Sequence, residues 1–179
     1  MVRIDNVLLA TDLSEASDDA FLYARTLARS CHATLHLLYV AEDLLTRYDA
    51  GVQMMLSADV QRELEDDARK QLERLASQAA GDAPVRAVLR TSNATAAAVT
   101  DYARDAAIDL IVLGTHGRRG LRRILLGSDA EAVLREATVP VLLVRAEPHL
   151  APYIAPGRAQ GAPSRVSDVA IVRAGPPYP

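Results

Sequence analysis

Four residues, Gly114, Gly117, Gly127 and Ser128, are spaced as parts of a loop that could hold an anion. The segment 114–128 reads Gly-Thr-His-Gly-Arg-Arg-Gly-Leu-Arg-Arg-Ile-Leu-Leu-Gly-Ser. Gly114 follows an apolar run, at a point where a side chain would block a ligand approaching the backbone. Gly117 can take a positive φ and turn the chain so that successive N–H groups converge. Gly127 and Ser128 would open a helix, whose first free N–H groups and positive dipole end favour an anion. The Ser128 hydroxyl adds a donor. Arg118, Arg119, Arg122 and Arg123 put four positive charges within six residues. They could clamp phosphates or stay solvated, and Arg118, next to Gly117, is the best placed. His116 reads as a turn residue with an incidental phosphate contact rather than as a proton donor. The segment is neither a P-loop, G-x-x-x-x-G-K-[ST], nor the dinucleotide fingerprint G-x-G-x-x-G. Spacing alone leaves a phosphate site and ordinary turn glycines both open.

The elements that must position this loop follow from the apolar pattern. Short apolar runs at 7–10, 34–40, 85–89, 110–113 and 141–144 read as strands. The run 110–113 is continuous, as in a parallel strand covered on both faces. Between the strands lie helical stretches. The first runs to about residue 30, with Ser14 or Ser17 as its cap and Glu15, Asp18 and Asp19 in its first turn, where the helix dipole favours acids. In the second, Leu56, Val60, Leu64, Ala68, Leu72, Leu75 and Ala79 recur at three- and four-residue spacing, predicting one buried stripe. Arg62, Glu65, Asp66, Arg69, Lys70 and Glu73 read as its solvated face. Residues 94–106 form a third helix. Residues 128–136 form a fourth, with Ala130, Val133, Leu134 and Ala137 directed inward.

This alternation predicts an α/β fold: one doubly wound, five-stranded parallel sheet with helices on both faces. Ligands of such sheets lie outside the C-terminal strand ends, where strand order reverses. Ala10, Thr11, Asp12, Val40 and the segment from Gly114 onward are therefore the residues of interest.

Composition narrows the function. Half of the 179 residues are hydrophobic, enough for a core without disulfides. A net charge of −3 gives no basic excess, so a nucleic-acid partner is not expected. No apolar run approaches the roughly 20 residues of a membrane span, and the first residues lack a signal-peptide core. A cytoplasmic address is expected. Cys31 is the single cysteine, read as a small core or helix-end residue. From residue 147 the chain changes character, and seven of its nine prolines lie there. Residues 1–146 are expected to form the domain and 147–179 a flexible tail, within which 166–174 could add one strand.

The pattern Gly114-x2-Gly117-x9-Gly127-Ser128 resembles the nucleotide loop of the ATP-binding branch of the universal stress protein family. The opening run 7–12 with Ser14 and Ala16 resembles that family's first strand and turn, and 139–144 its closing strand. The similarity spans about residues 1–146. It implies a Rossmann-like sheet of the adenine nucleotide alpha-hydrolase type that binds ATP, with or without Mg2+. It places Asp12 and the Val40 backbone at the adenosine end, with Ala10 and Thr11 alongside. It places Gly114, His116, Gly117, Arg118, Gly127, Ser128 and the Asp129 N–H against the phosphates. Ala10 stands where many members have Pro, which a strand end tolerates. Asp129 stands where a small apolar residue is common, and a carboxylate about 4 Å from a phosphate charge costs about 1 kcal/mol in water-like dielectric.

The resemblance also implies a homodimer joined through Val141, Leu142, Leu143 and Val144 at the sheet edge. No catalytic trio and no Cys/His metal cluster is legible. The expectation is therefore a nucleotide-dependent stress-response regulator with at most slow ATP hydrolysis. A nucleotide-free dimeric scaffold and an ATP-using enzyme are the alternatives.

Overall fold

The strand β1 (Asn6–Ala10) is the axis of the sheet. Its Val7, Leu8 and Leu9 are fully buried because helices cover both sheet faces. In a computed structural model, described over residues 3–47, 58–115, 127–145 and 169–171, the chain then forms a single turn of 3-10 helix (Glu15–Ser17) and α1 (Asp18–Cys31). The strand β2 (Thr34–Ala41) follows, then the short helix α2 (Leu44–Arg47) and the long helix α3 (Ala58–Ala79). The rest of the domain is β3 (Val85–Thr91), α4 (Thr95–Asp105), β4 (Leu110–Gly114), α5 (Ser128–Glu136) and β5 (Val141–Val144). All five expected strands are present and pair in parallel. A short β6 (Val169–Ile171) extends the sheet along β3, within the stretch read as a possible extra strand. The order is β5-β4-β1-β2-β3-β6.

Two apolar clusters result, one per face. Val7, Leu9, Leu35, Leu37 and Leu89 pack with Ala20, Phe21, Ala24 and Ala28 of α1 and with Ala68, Leu72 and Ala76 of α3. On the other face Leu8, Leu38, Val88, Ile111 and Leu113 pack with Val99 and Tyr102 of α4 and Val133 of α5. Small alanines on the helices let them approach a sheet built from Leu, Val and Ile.

Three expectations need correction. The stripe on α3 holds from Ala68 onward, but Val60 and Leu64 are 38% and 52% exposed while Gln61 and Glu65 are buried. Leu134 points outward rather than into the core, at 47% exposed. Ser14 and Ser17 make no side-chain cap on the helices they precede; both hydroxyls donate to the Asp12 carboxylate instead. Cys31 ends α1 and is exposed.

Candidate functional site

The sheet order reverses at β1, which has β2 on one side and β4 on the other. The C-terminal ends of β1 and β4 therefore flank the crevice where such sheets take ligands. Ala10 is opposite Leu113 in the register, so Thr11 and Asp12 leave β1 beside Gly114, the last residue of β4. Thr11 is buried: its N–H donates to the Leu38 carbonyl at 2.9 Å, and its hydroxyl accepts the Leu13 N–H at 3.0 Å. Leu13 takes a φ of 60°, and this bend turns the chain from strand toward helix.

Asp12 is held by that bend. Its Oδ1 accepts the Ser14 N–H at 3.1 Å, closing an Asx turn, and also the Ser14 and Ser17 hydroxyls. The serines read as helix caps thus fix the orientation of a carboxylate at the strand end.

Val40 lies past the last rung of β1. The β1–β2 register ends at Ala10 and Leu38, and the Leu38 carbonyl faces β1, where it accepts the Thr11 N–H. Main-chain polar groups of a strand alternate sides, so the Val40 N–H and C=O face the same way, into the gap beyond β1. The odd positions confirm the alternation, since the Ala41 carbonyl accepts the Ser92 N–H on the β3 side at 2.8 Å. One donor and one acceptor from a single residue therefore face the region of Asp12.

Across the crevice lie the end of β4 and the start of α5. The Thr115 N–H donates to the Val144 carbonyl at 2.8 Å, and the Thr115 carbonyl accepts the Gly127 N–H at 3.3 Å. The first bond ties the end of β4 to β5, and the second holds it beside the start of α5. Gly127 is the residue preceding α5, with no side-chain cap, and its carbonyl accepts the Glu131 N–H at 2.9 Å. A Cβ placed on Gly127 would meet no atom of the described residues within 4 Å, so these leave the space beside it open. Ser128 and Asp129 are exposed in the first turn. The expected phosphate contacts His116, Gly117 and Arg118 lie outside the described residues.

Ala10, Thr11, Asp12 and Val40 are thus gathered on one side, and Gly114, Gly127, Ser128 and Asp129 on the other, around the same strand ends. A separate hollow lies between the Asp12 turn and α3, lined by residues including Thr11, Ser14, Phe21, Arg74 and Gln78. Sequence reasoning missed Gln61 and Glu65. The Gln61 carboxamide bonds both sides of the turn after β2, accepting from the Leu44 N–H (3.1 Å) and donating to the Glu42 carbonyl (3.2 Å). Their only sequence signal is a spacing of four on a helix already rich in polar residues. Among the described residues no group of three or more His, Cys, Asp or Glu is arranged to hold a metal ion. Nor is any helix among them long and apolar enough to cross a membrane.

Comparison with known proteins bears on the family and the fold. The profile of the Universal stress protein family matches residues 3–145. Universal stress protein A homolog 1 of Coxiella burnetii is 34% identical over 139 residues, covering 78% of this chain and 94% of that protein. The solved structure of protein MJ0577, from Methanocaldococcus jannaschii, superposes with a TM-score of 0.72 at 23% identity, over 83% of this chain and all of that one. A universal stress protein crystallised in complex with cAMP matches with a TM-score of 0.56 at 26% identity, over 80% of this chain and 98% of that one.

Proposed function

Because this chain belongs to the universal stress protein family, we propose that its strand-end crevice binds ATP and that the protein acts as a nucleotide-dependent regulator in the stress response. The observation that carries this reading is the bond from the Gly127 N–H to the Thr115 carbonyl, which brings the β4 end and the uncapped start of α5 together beside the point of strand reversal. In this reading the phosphates lie along Gly114, Gly127 and Ser128, with His116, Gly117 and Arg118 completing the loop. The base meets the Val40 N–H and C=O, which offer a donor and an acceptor, the complement of an adenine edge. Thr11 and Ala10 floor the crevice, and Asp12, fixed by Ser14 and Ser17, faces the sugar. The cAMP-bound relative supports an adenine nucleotide as the ligand class.

The residues present fit a triphosphate, since the space beside Gly127 is open. A Mg2+ ion would be carried by the phosphates, with exposed Asp129 near enough in sequence to meet it. The Asp129 carboxylate is in solvent, where its repulsion of phosphate is screened. ATP turnover beyond a slow rate is not part of the proposal. A cytoplasmic homodimer paired through β5 is.

Gly127→Ala tests the reading directly. The new methyl meets no atom of the described residues, and the φ of −59° suits alanine. The melting temperature should therefore move by only a few degrees, as for a loss of about 1 kcal/mol or less. Calorimetry should show ATP affinity falling by about tenfold or more if a phosphate occupies that space. Wild-type protein that carries no nucleotide in native mass spectrometry, and takes up no ATP in calorimetry, would favour a nucleotide-free scaffold.

A further inference from the structure

We propose that Gln61 and Glu65 of α3 form a latch that positions the end of β2 for recognition of the base, an inference that rests on the nucleotide reading above. The starting observation is a break in the helix pattern. A helix turned slightly about its axis would bury Val60 and Leu64. Instead these are exposed, and a carboxamide and a carboxylate are 7% exposed in their place. Burying a carboxylate costs free energy unless hydrogen bonds compensate, and departures of this kind concentrate at functional sites.

The buried pair acts on one turn. The Gln61 Nε2 donates to the Glu42 carbonyl at 3.2 Å and to the Glu65 Oε1 at 2.9 Å, while its Oε1 accepts the Leu44 N–H at 3.1 Å. Glu65 in turn accepts the Thr91 hydroxyl at 3.0 Å, which ties the pair to the end of β3. From the other side Asn93 accepts the Asp43 N–H at 3.0 Å and donates to the Asp43 carbonyl at 3.1 Å. The backbone 42–44 is thus clamped by side chains from α3 and from the β3–α4 loop. Val40 lies two residues upstream, where the chain has already lost its β1 neighbour. Val40 and Ala41 still pair with Arg90 and Thr91 of β3. The direction of Val40's outward donor and acceptor is held by that ladder on one side and by the clamped turn that follows it. Gln61 and Glu65 touch no ligand in this scheme and act only through the β2 backbone, so they are positioning residues.

The test separates base recognition from phosphate binding. Affinities for ATP, GTP and tripolyphosphate are measured by calorimetry on the full chain and on Gln61→Leu, Glu65→Gln and Thr91→Val. Gln61→Leu leaves the Glu42 carbonyl and the Leu44 N–H without their partner. It should bind ATP about tenfold more weakly, with a reduced preference for ATP over GTP and unchanged tripolyphosphate affinity. Glu65→Gln keeps an acceptor toward Gln61 and Thr91 and should retain the preference. Thr91→Val removes one bond only, and its several-fold loss of preference decides the matter if Gln61→Leu does not fold. An unchanged preference in Gln61→Leu or Thr91→Val, or an equal loss for tripolyphosphate, overturns the latch alone. A wild-type chain that binds no ATP overturns the nucleotide reading, and the latch with it.

Discussion

His36 shows how single side chains govern this molecule away from its crevice. It lies on β2, 1% exposed, with Nδ1 2.7 Å from the Tyr102 hydroxyl on α4 and Nε2 3.3 Å from the Asn6 Oδ1 on β1. Asn6 in turn donates to the Ala107 carbonyl at 3.1 Å. The imidazole thus joins three elements beneath the sheet's N-terminal end. Burial, helped by the nearby Arg86 guanidinium, lowers its pKa from 6.5 to about 4. The unfolded chain therefore binds the proton more readily between those values, and acid favours unfolding. Stability that is intact above pH 6.5 is lost as pH falls toward 4, by about 3 kcal/mol from this group alone. His36→Leu should be less stable at pH 7.5, because Tyr102 and Asn6 lose a partner. Its stability should nonetheless change less than the wild type's between pH 6.5 and 4. Urea unfolding across that range checks this, and equal slopes for the two chains would remove His36 as the cause.

At the scale of elements, the edge strand β5 makes the sharpest demand. Pro140 and Val144 present their carbonyls to β4, accepting the Ile111 N–H at 3.0 Å and the Thr115 N–H at 2.8 Å. By alternation the amides of Val141 and Leu143 face away from the sheet, along an edge open to another chain. Val141→Pro removes one outward donor and no ladder bond, while its ring keeps much of the half-buried valine's volume. If two copies pair through this edge, the variant should sediment as monomer at concentrations where the wild type is a dimer. A variant of unchanged mass places the contact elsewhere. The strands themselves were legible because short apolar runs cannot close a helical stripe, and β1, β2, β3, β4 and β5 all fall where those runs lie. The first half of α3 was not. Val60 and Leu64 continue the three- and four-residue spacing of Ala68 and Leu72, so local pattern favours burying them. The need of the β2 turn for hydrogen-bond partners is a tertiary one, and it outweighs the pattern. The site was legible to a similar depth. Glycines and strand ends mark the crevice, but the partnership of Ser14 and Ser17 with Asp12 is hidden, since serine before a helix signals a cap with equal force.

For the whole molecule, the question is what the chain beyond the last core strand contributes. Among the described residues, both apolar clusters draw on the chain between Ile4 and Val144, and the family match ends at residue 145. Yet β6 lies on β3, with Val169 opposite Ala87 and Ile171 opposite Leu89, at the edge farthest from β5. Crossing the sheet takes five inter-strand steps, on the order of 24 Å, and residues 145–168 can reach on the order of 80 Å. One chain can therefore supply its own sixth strand. Pairing of that kind replaces the seven-residue β3 edge with one of three residues, a poorer template for association. A chain ending at Arg145 should fold, with a melting temperature within several degrees of the full chain's, because it keeps every described core residue. It should also associate beyond the wild-type state as concentration rises, since the longer β3 edge then joins β5 as a second template and two such edges permit growth. Sedimentation at increasing concentration reads the second effect and thermal melting the first. A truncated chain that stays at the wild-type mass would show that β6 is not what limits assembly, and one that fails to fold would show that the domain extends into the tail.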